Sequence, residues 1–429
     1  MRKSSLVLVL MFCAALPLLN LGAVQTSEDP NSSWAKTFGE NNRDVALSVI
    51  QTSDGGYVIT GYTESYGAGD SDVWLVKTDN SGNMQWSKTF GGTDLDGALS
   101  VIQTSDGGYA LAGYTWSYGA GWFDFWLVKT DSLGNEEWNS TFGDNGYDMA
   151  RSVIQTSDGG YALAGYTNSY GAGGFDFWLV KTDSLGNEEW NSTFGDGNED
   201  SACSVIQTSD GGYVITGDTK SYDAVWQNFW LVKTDNSGNM QWSKTLSDTY
   251  LESRAFSAIQ TADGGYAMTG YTRRLDESSN SILIKIDSLG NEQWSKIFGG
   301  SGSDIARSVI QTSDGGYAFV GDTSSYGAGW DDFWLVKTDS SGNEEWSRTF
   351  GGENHDYAYS VIQTSDGGYA LAGPTSSYGA GESDFWLVKT DSSGNVEGLS
   401  STGIQTIYVV VGIVTIFVVV GVVIALKKR

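Results

Sequence analysis

Ser48-Val49-Ile50-Gln51-Thr52-Ser53-Asp54-Gly55-Gly56-Tyr57 (SVIQTSDGGY) decides the fold, because the chain writes it seven times. It returns at Ser100, Ser152, Ser204, Ser257 (as SAIQTADGGY), Ser308 and Ser360, at steps of 52, 52, 52, 53, 51 and 52 residues. That spacing is far longer than a helical repeat and close to one blade of a β-propeller. In the first copy, residues 46–52 (ALSVIQT) read as a strand and residues 53–56 (SDGG) as a hairpin turn, with the return at 57–63 (YVITGYT). Asp-Gly and Gly-Gly supply the positive φ angles that a tight turn needs. A Gly-rich loop at 64–71 leads to a third strand at 73–78 (VWLVKT), a turn at 79–83 (DNSGN) and a fourth strand at 84–90 (MQWSKTF). The four strands are named A to D. Several carry apolar residues on both faces, as a sheet sandwiched between neighbouring blades requires.

The frame of the repeat is offset from the chain ends. The seventh copy stops at 391–398 (DSSGNVEG) without a strand D, while Trp34-Ala35-Lys36-Thr37-Phe38 stands alone at the other end. Counting it, seven D-strand tryptophans (Trp34, Trp86, Trp138, Trp190, Trp242, Trp294, Trp346) serve seven A-B-C units. Pairing the first strand with the last blade closes a ring and removes its open edges. The expectation is an all-β, seven-bladed propeller over 33–398, closed by the N-terminal strand.

Two apolar segments flank it. Residues 1–23 have a basic start, an apolar run and a small-residue end, the pattern of a secretory signal peptide, with 24–32 as a short linker. After a linker at 399–406, residues 407–426 form twenty uncharged positions, enough for one transmembrane helix, followed by the basic tail 427–429. The positive-inside tendency puts that tail in the cytoplasm and the propeller outside, at a cell membrane crossed once. With five of 24 Lys and Arg in the terminal segments, 19 face 52 Asp and Glu, a net charge of about −33. Such a field repels nucleic acid. Outside the leader one cysteine remains, Cys203, which has no internal disulfide partner.

The stretch Leu75-Val76-Lys77-Thr78-Asp79-Asn80-Ser81-Gly82-Asn83-Met84-Gln85-Trp86 resembles the tryptophan-docking repeat of quinoprotein-type propellers. The whole repeat, with DGGY, a GxTxSxGxGxxDxWLxK run and WxKTFGG, is similar to the β-propeller repeats of bacterial and archaeal surface proteins. The resemblance implies the fold and a surface location, and leaves function open because propellers host many activities. Quinoprotein redox chemistry does not carry over, since no adjacent cysteine pair or inserted catalytic Asp region is present. The sialidase box S-x-D-x-G-x-x-W fails because Asp79 and Gly82 are one residue too far apart. A single histidine, His355, argues against His-based acyl transfer or zinc chemistry.

Repetition favours structural roles for most polar residues. The seven D-strand tryptophans are read as blade-to-blade packing, and Lys77 with its six copies as partners of nearby carboxylates. Asp44, Asp96, Asp148, Asp200, Asp304 and Asp356 open strand A; Asp72, Asp124, Asp176, Asp332 and Asp384, with Asn228 and Asn280, open strand C. Loop-amide bonding is the first expectation for them and Ca2+ the second; otherwise no cofactor is expected. Asn31, Asn139 and Asn191 begin N-x-S/T sequons.

Variation points to function. The D–A loops read ENNR, GTDL, DNGY, DGNE, DTYLE, GSGS and GENH, and the B–C loops alone carry Trp116, Trp122, Phe123, Phe175, Trp226 and Trp330. Aromatic rings among Asp and Asn suit glycan or protein contact, so these six are the candidate ligand-binding residues of an adhesion or capture module. Two other classes stand beside it. One is a glycoside hydrolase or lyase built on the divergent fifth blade, with Asp248, Glu252, Asp276 and Glu277 beside Arg273 and Arg274. The other is a purely structural envelope protein.

Overall fold

The computed structural model describes residues 33–221, 226–246, 251–274 and 277–398. Its regular structure is 28 strands in seven four-stranded antiparallel sheets, with no helix among the described residues. The first blade is β2 (Asp44–Gln51), β3 (Tyr57–Thr63), β4 (Asp72–Thr78) and β5 (Met84–Phe90), paired in that order. Five blades repeat it. The last joins β26 (Ser360–Gln363), β27 (Tyr369–Thr375) and β28 (Asp384–Thr390) to β1 (Trp34–Phe38), with Trp34 opposite Lys389 and Phe38 opposite Phe385. The chain is thus a seven-bladed all-β propeller closed by its N-terminal strand. The expected signal peptide, both linkers beyond Ser33 and Gly398, the transmembrane helix and Asn31 lie outside the described residues.

Packing closes the ring independently of that sheet. Buried apolar side chains gather into seven clusters, each shared by two adjacent blades, including one that joins Ala46, Val49 and Trp74 of the first blade to Phe385 and Leu387 of the last. An open array of seven blades has six interfaces; seven require a circle. The repeated motif supplies polar links as well. The Ser48 hydroxyl accepts the Val101 N–H at 3.3 Å, and the ring comes round with the Val49 N–H on Ser360 at 3.2 Å. Likewise the Gln103 side chain accepts the Ser53 N–H at 3.0 Å, and Gln51 accepts that of Ser365 at 2.9 Å. The D-strand tryptophans pack across interfaces as expected: Trp86 lies 6.0 Å from Tyr109 of the next blade, and Trp34 lies 5.6 Å from Tyr57.

Strand A differs from its sequence reading in a way that matters. It starts at Asp44, two residues earlier than expected, and carries a β-bulge: Ala46 pairs with Gly61 and Ser48 with Thr60, leaving Leu47 unpaired. Ala46 and Val49 enter the same cluster although three residues apart, which the period of two forbids without an extra residue. The bulge presses strand A onto strand B, so that a Cβ on Gly61 would lie 1.8 Å from the Val45 carbonyl oxygen. Glycine fills that position in all seven blades. In the last blade Pro374 opposes Tyr357; it accepts the Tyr357 N–H at 3.1 Å but has none to return, and regular strand A is cut to Ser360–Gln363. The fifth blade's divergent segments, expected as loops, instead extend its first two strands to Leu251–Gln260 and Tyr266–Arg274.

Candidate binding sites on the loop face and along the channel

The strand-A aspartates are fully buried and hold the D–A and B–C loops together. Asp96 accepts the Thr115 hydroxyl at 2.5 Å, the Ser117 hydroxyl at 2.6 Å and the Gly92 N–H at 2.8 Å. Asp44, Asp148, Asp200, Asp304 and Asp356 accept the corresponding Thr and Ser hydroxyls, from Thr63 and Ser65 through Thr375 and Ser377. These donors occupy the lone pairs a calcium ion needs, and among the described residues no three acidic, His or Cys side chains converge on a common point. The strand-A aspartates are thus fitted to loop bonding, the first of the two expectations for them. The strand-C set does similar work: Asp124 accepts the Ala120 N–H at 2.7 Å, while burial, with help from Asp148, pushes its carboxyl up to about 6.

The six aromatic candidates do not form one site. Trp116, Trp122 and Phe123 of the second blade come together, joined by Tyr147 from the following D–A loop. Trp122 stacks on Tyr147 at 5.6 Å and 13°, and lies 5.3 Å from Trp116. Trp122 remains 50% exposed. Trp330, 70% exposed, makes a second patch in the sixth blade, 5.8 Å from His355, whose Nδ1 meets Asp331 at 2.6 Å. Phe175 packs edge-on against Tyr166 at 5.0 Å, turned toward the channel, and Trp226 is exposed, with no ring partner among the described residues. The sequons at Asn139 and Asn191 are exposed on D strands; each side-chain carbonyl accepts a buried indole N–H at 3.2 Å.

The fifth-blade carboxylates offer no free acid–base pair among the described residues. Glu252 pairs in the ladder with Arg273 and accepts its guanidinium at 2.6 Å and the Tyr271 hydroxyl at 3.1 Å. Burial works against ionisation there, but these bonds outweigh it and hold the carboxyl below its ordinary value. Asp248 and Asp276 lie outside the described residues.

The bulges build a site that the loops did not announce. The six bulges each turn one side chain to the axis, and these (Leu47, Leu99, Arg151, Cys203, Phe256, Arg307), with Tyr359 of the last blade, line a central cavity of about 320 Å³. Arg307 is satisfied: its Nε meets Asp322 at 2.5 Å and its plane lies over Tyr359 at 4.5 Å. Arg151 lies over Tyr166 at 5.0 Å and donates to the Cys203 sulfur at 3.2 Å, yet its buried Nε has no partner. Burial pushes the Cys203 thiol up, so it stays neutral beside that charge. Arg151 also borders a second cavity of about 210 Å³ toward the loop face, with Phe175, Glu199, Asp218, Gln227 and Arg254. The sequence held a weak signal for this: in the D-x-A-x-S run, which opens with Ser253 in the fifth blade, both variable positions change from blade to blade, the second reading L, L, R, C, F, R, Y.

No family model matches the chain. Over 360 residues it is 24% identical to "Regulatory protein FlaEY" of Caulobacter vibrioides (strain ATCC 19089 / CIP 103742 / CB 15), covering 75% of this chain. The chain spans 37% of that relative's length. Among solved structures it is similar to Sqt1 from Chaetomium thermophilum (12% identity, TM-score 0.46, covering 80% of this chain and 82% of that one). A protein of unknown function from Dyadobacter fermentans DSM 18053 gives 11% identity and TM-score 0.46, covering 83% and 98%.

Proposed function

We propose that the chain is a recognition module displayed outside the cell, tethered through residues 407–426, that binds glycan or protein on its D–A and B–C face. The observation that carries this reading is the platform of Trp116, Trp122 and Tyr147: two indoles and a phenol held ring against ring, with the Trp122 ring half exposed. Aromatic faces of this kind stack against sugar rings and apolar peptide side chains, and solvent-facing tryptophans are otherwise unfavourable. Asp144 and Asn145 in the adjoining loop add hydrogen-bonding groups at the platform's edge. The strongly acidic surface favours neutral or basic ligands over nucleic acid. The name of the Caulobacter relative, a regulatory protein, agrees with a role in binding. The test is a glycan and peptide array probed with the full-length protein and its Trp122→Ser variant. Binding that depends on Trp122 is expected, with thermal melting nearly unchanged; ligand capture that survives Trp122→Ser and Trp116→Ser together refutes the placement.

A further inference from the structure

The upper chamber of the channel gathers two guanidinium groups, Arg151 and Arg254, beside the carboxylates of Glu199 and Asp218. Among the described residues neither guanidinium forms an ion pair. Arg254 donates its Nε only to the Gln227 side-chain carbonyl, at 2.7 Å. The acidic groups nearby offset that charge only in part, Asp218 acting on both guanidiniums through space without an ion pair. Glu199 takes Lys220 at 2.5 Å, and Asp218 accepts the Gln227 amide at 2.9 Å. A guanidinium does not shed its proton, so one without an ion pair gains from an anion that reaches the N–H groups lining the cavity. Arg151 also lines the adjoining cavity, where Leu47, Leu99 and Phe256 offer apolar wall beside Cys203, Tyr359 and the paired Arg307.

We infer that the axial chamber is a binding site for a small organic carboxylate, its two oxygens held by Arg151 and Arg254 and its apolar body directed down the channel. A planar carboxylate matches the guanidinium fork; the Arg151–Arg254 chamber of about 210 Å³ takes the carboxylate, and the adjoining cavity of about 320 Å³, which Arg151 also lines, has room for the body. This site is separate from the aromatic platform, and neither proposal depends on the other.

Benzoate is a direct probe, with benzyl alcohol as its uncharged counterpart, in equilibrium dialysis against the full-length protein. Saturable benzoate binding is expected, weakened at least about tenfold by Arg151→Leu or Arg254→Gln, while benzyl alcohol stays unbound. Trp122→Ser should leave it unchanged. Leucine already occupies the Arg151 position in the first two blades, as Leu47 and Leu99, so the variant suits the scaffold. Without ligand, Arg151→Leu should melt about 1–3 °C higher, because it removes a buried charge that has no ion pair. Benzoate binding no better than benzyl alcohol, or a lower melting temperature of Arg151→Leu with benzoate binding unaltered, overturns the assignment and makes Arg151 a structural residue.

Discussion

Two glycines of the third blade, six residues apart, should respond very differently to alanine. Gly159 sits in the A–B turn with φ 88°, and a Cβ built there meets nothing within 4 Å. Its cost is the left-handed backbone alone, about 1–2 kcal/mol for an L-residue. Gly165 opposes the bulge that carries Arg151, and its Cβ would sit 1.9 Å from the Met149 carbonyl oxygen and 2.9 Å from the Ala150 Cα. Real Cβ contacts essentially never fall under 3.0 Å, so strands A and B must part by about 1 Å at that point. Parting them stretches about two ladder hydrogen bonds, at roughly 1 kcal/mol each, and loosens the cluster around Ala150 and Val153. The sum is about 3–5 kcal/mol for Gly165→Ala, exceeding Gly159→Ala by at least about 2 kcal/mol. Urea unfolding of the two variants, compared at equal slope, measures this difference. If Gly165→Ala proves no more damaging than Gly159→Ala, the bulge is not held by close backbone approach, and the account of the channel built on it fails.

Two further outcomes follow from the buried charges. Lys181 donates to the Thr182 carbonyl at 2.7 Å, Glu189 at 2.8 Å and Asp158 at 3.0 Å. Lys181→Met strands the buried carbonyl, about 1–3 kcal/mol, while the two half-exposed carboxylates add little, so a loss near 2 kcal/mol is expected in urea unfolding; parental stability in the variant contradicts this. Stability against pH should peak on the acid side. Burial raises the turn carboxylates Asp54, Asp106 and Asp158, but bonds from the turn threonine, the neighbouring lysine and a glycine N–H hold them at about 2. Their contribution is present above 3.8 and disappears as pH falls through about 2. Asp124 and Asp218 stand at about 6 because burial opposes their ionisation, so what they contribute is full below 3.8 and is lost as pH rises through about 6. Melting temperature should therefore be highest near about pH 4, and a flat profile from about pH 4 to pH 8 contradicts the assignment.

The ring itself was legible in the sequence. Seven copies of one motif, with a strand D missing at one end and supplied at the other, set blade number, closure and strand order, because each strand's partners follow from its place in a tandem repeat. The packing role of Trp86 and the pairing of Lys77 with Asp54 were legible for the same reason: repeated residues report repeated geometry. What remained hidden lay in contacts between copies. The aromatics Trp116, Trp122 and Trp330 read alike as loop residues, but only folding shows that the first two share a platform with Tyr147 while Trp330 belongs to another patch. The channel was hidden most completely. A bulge inserts one residue without disturbing the strand's composition, so Leu47, Arg151 and Arg307 read as ordinary strand positions about one or more blades apart, and only closure of the circle turns them onto one axis. Sequence thus determined the scaffold through local pairing and periodicity, whereas the tertiary structure decided which unlike residues face each other, because that depends on ring geometry and not on neighbours along the chain.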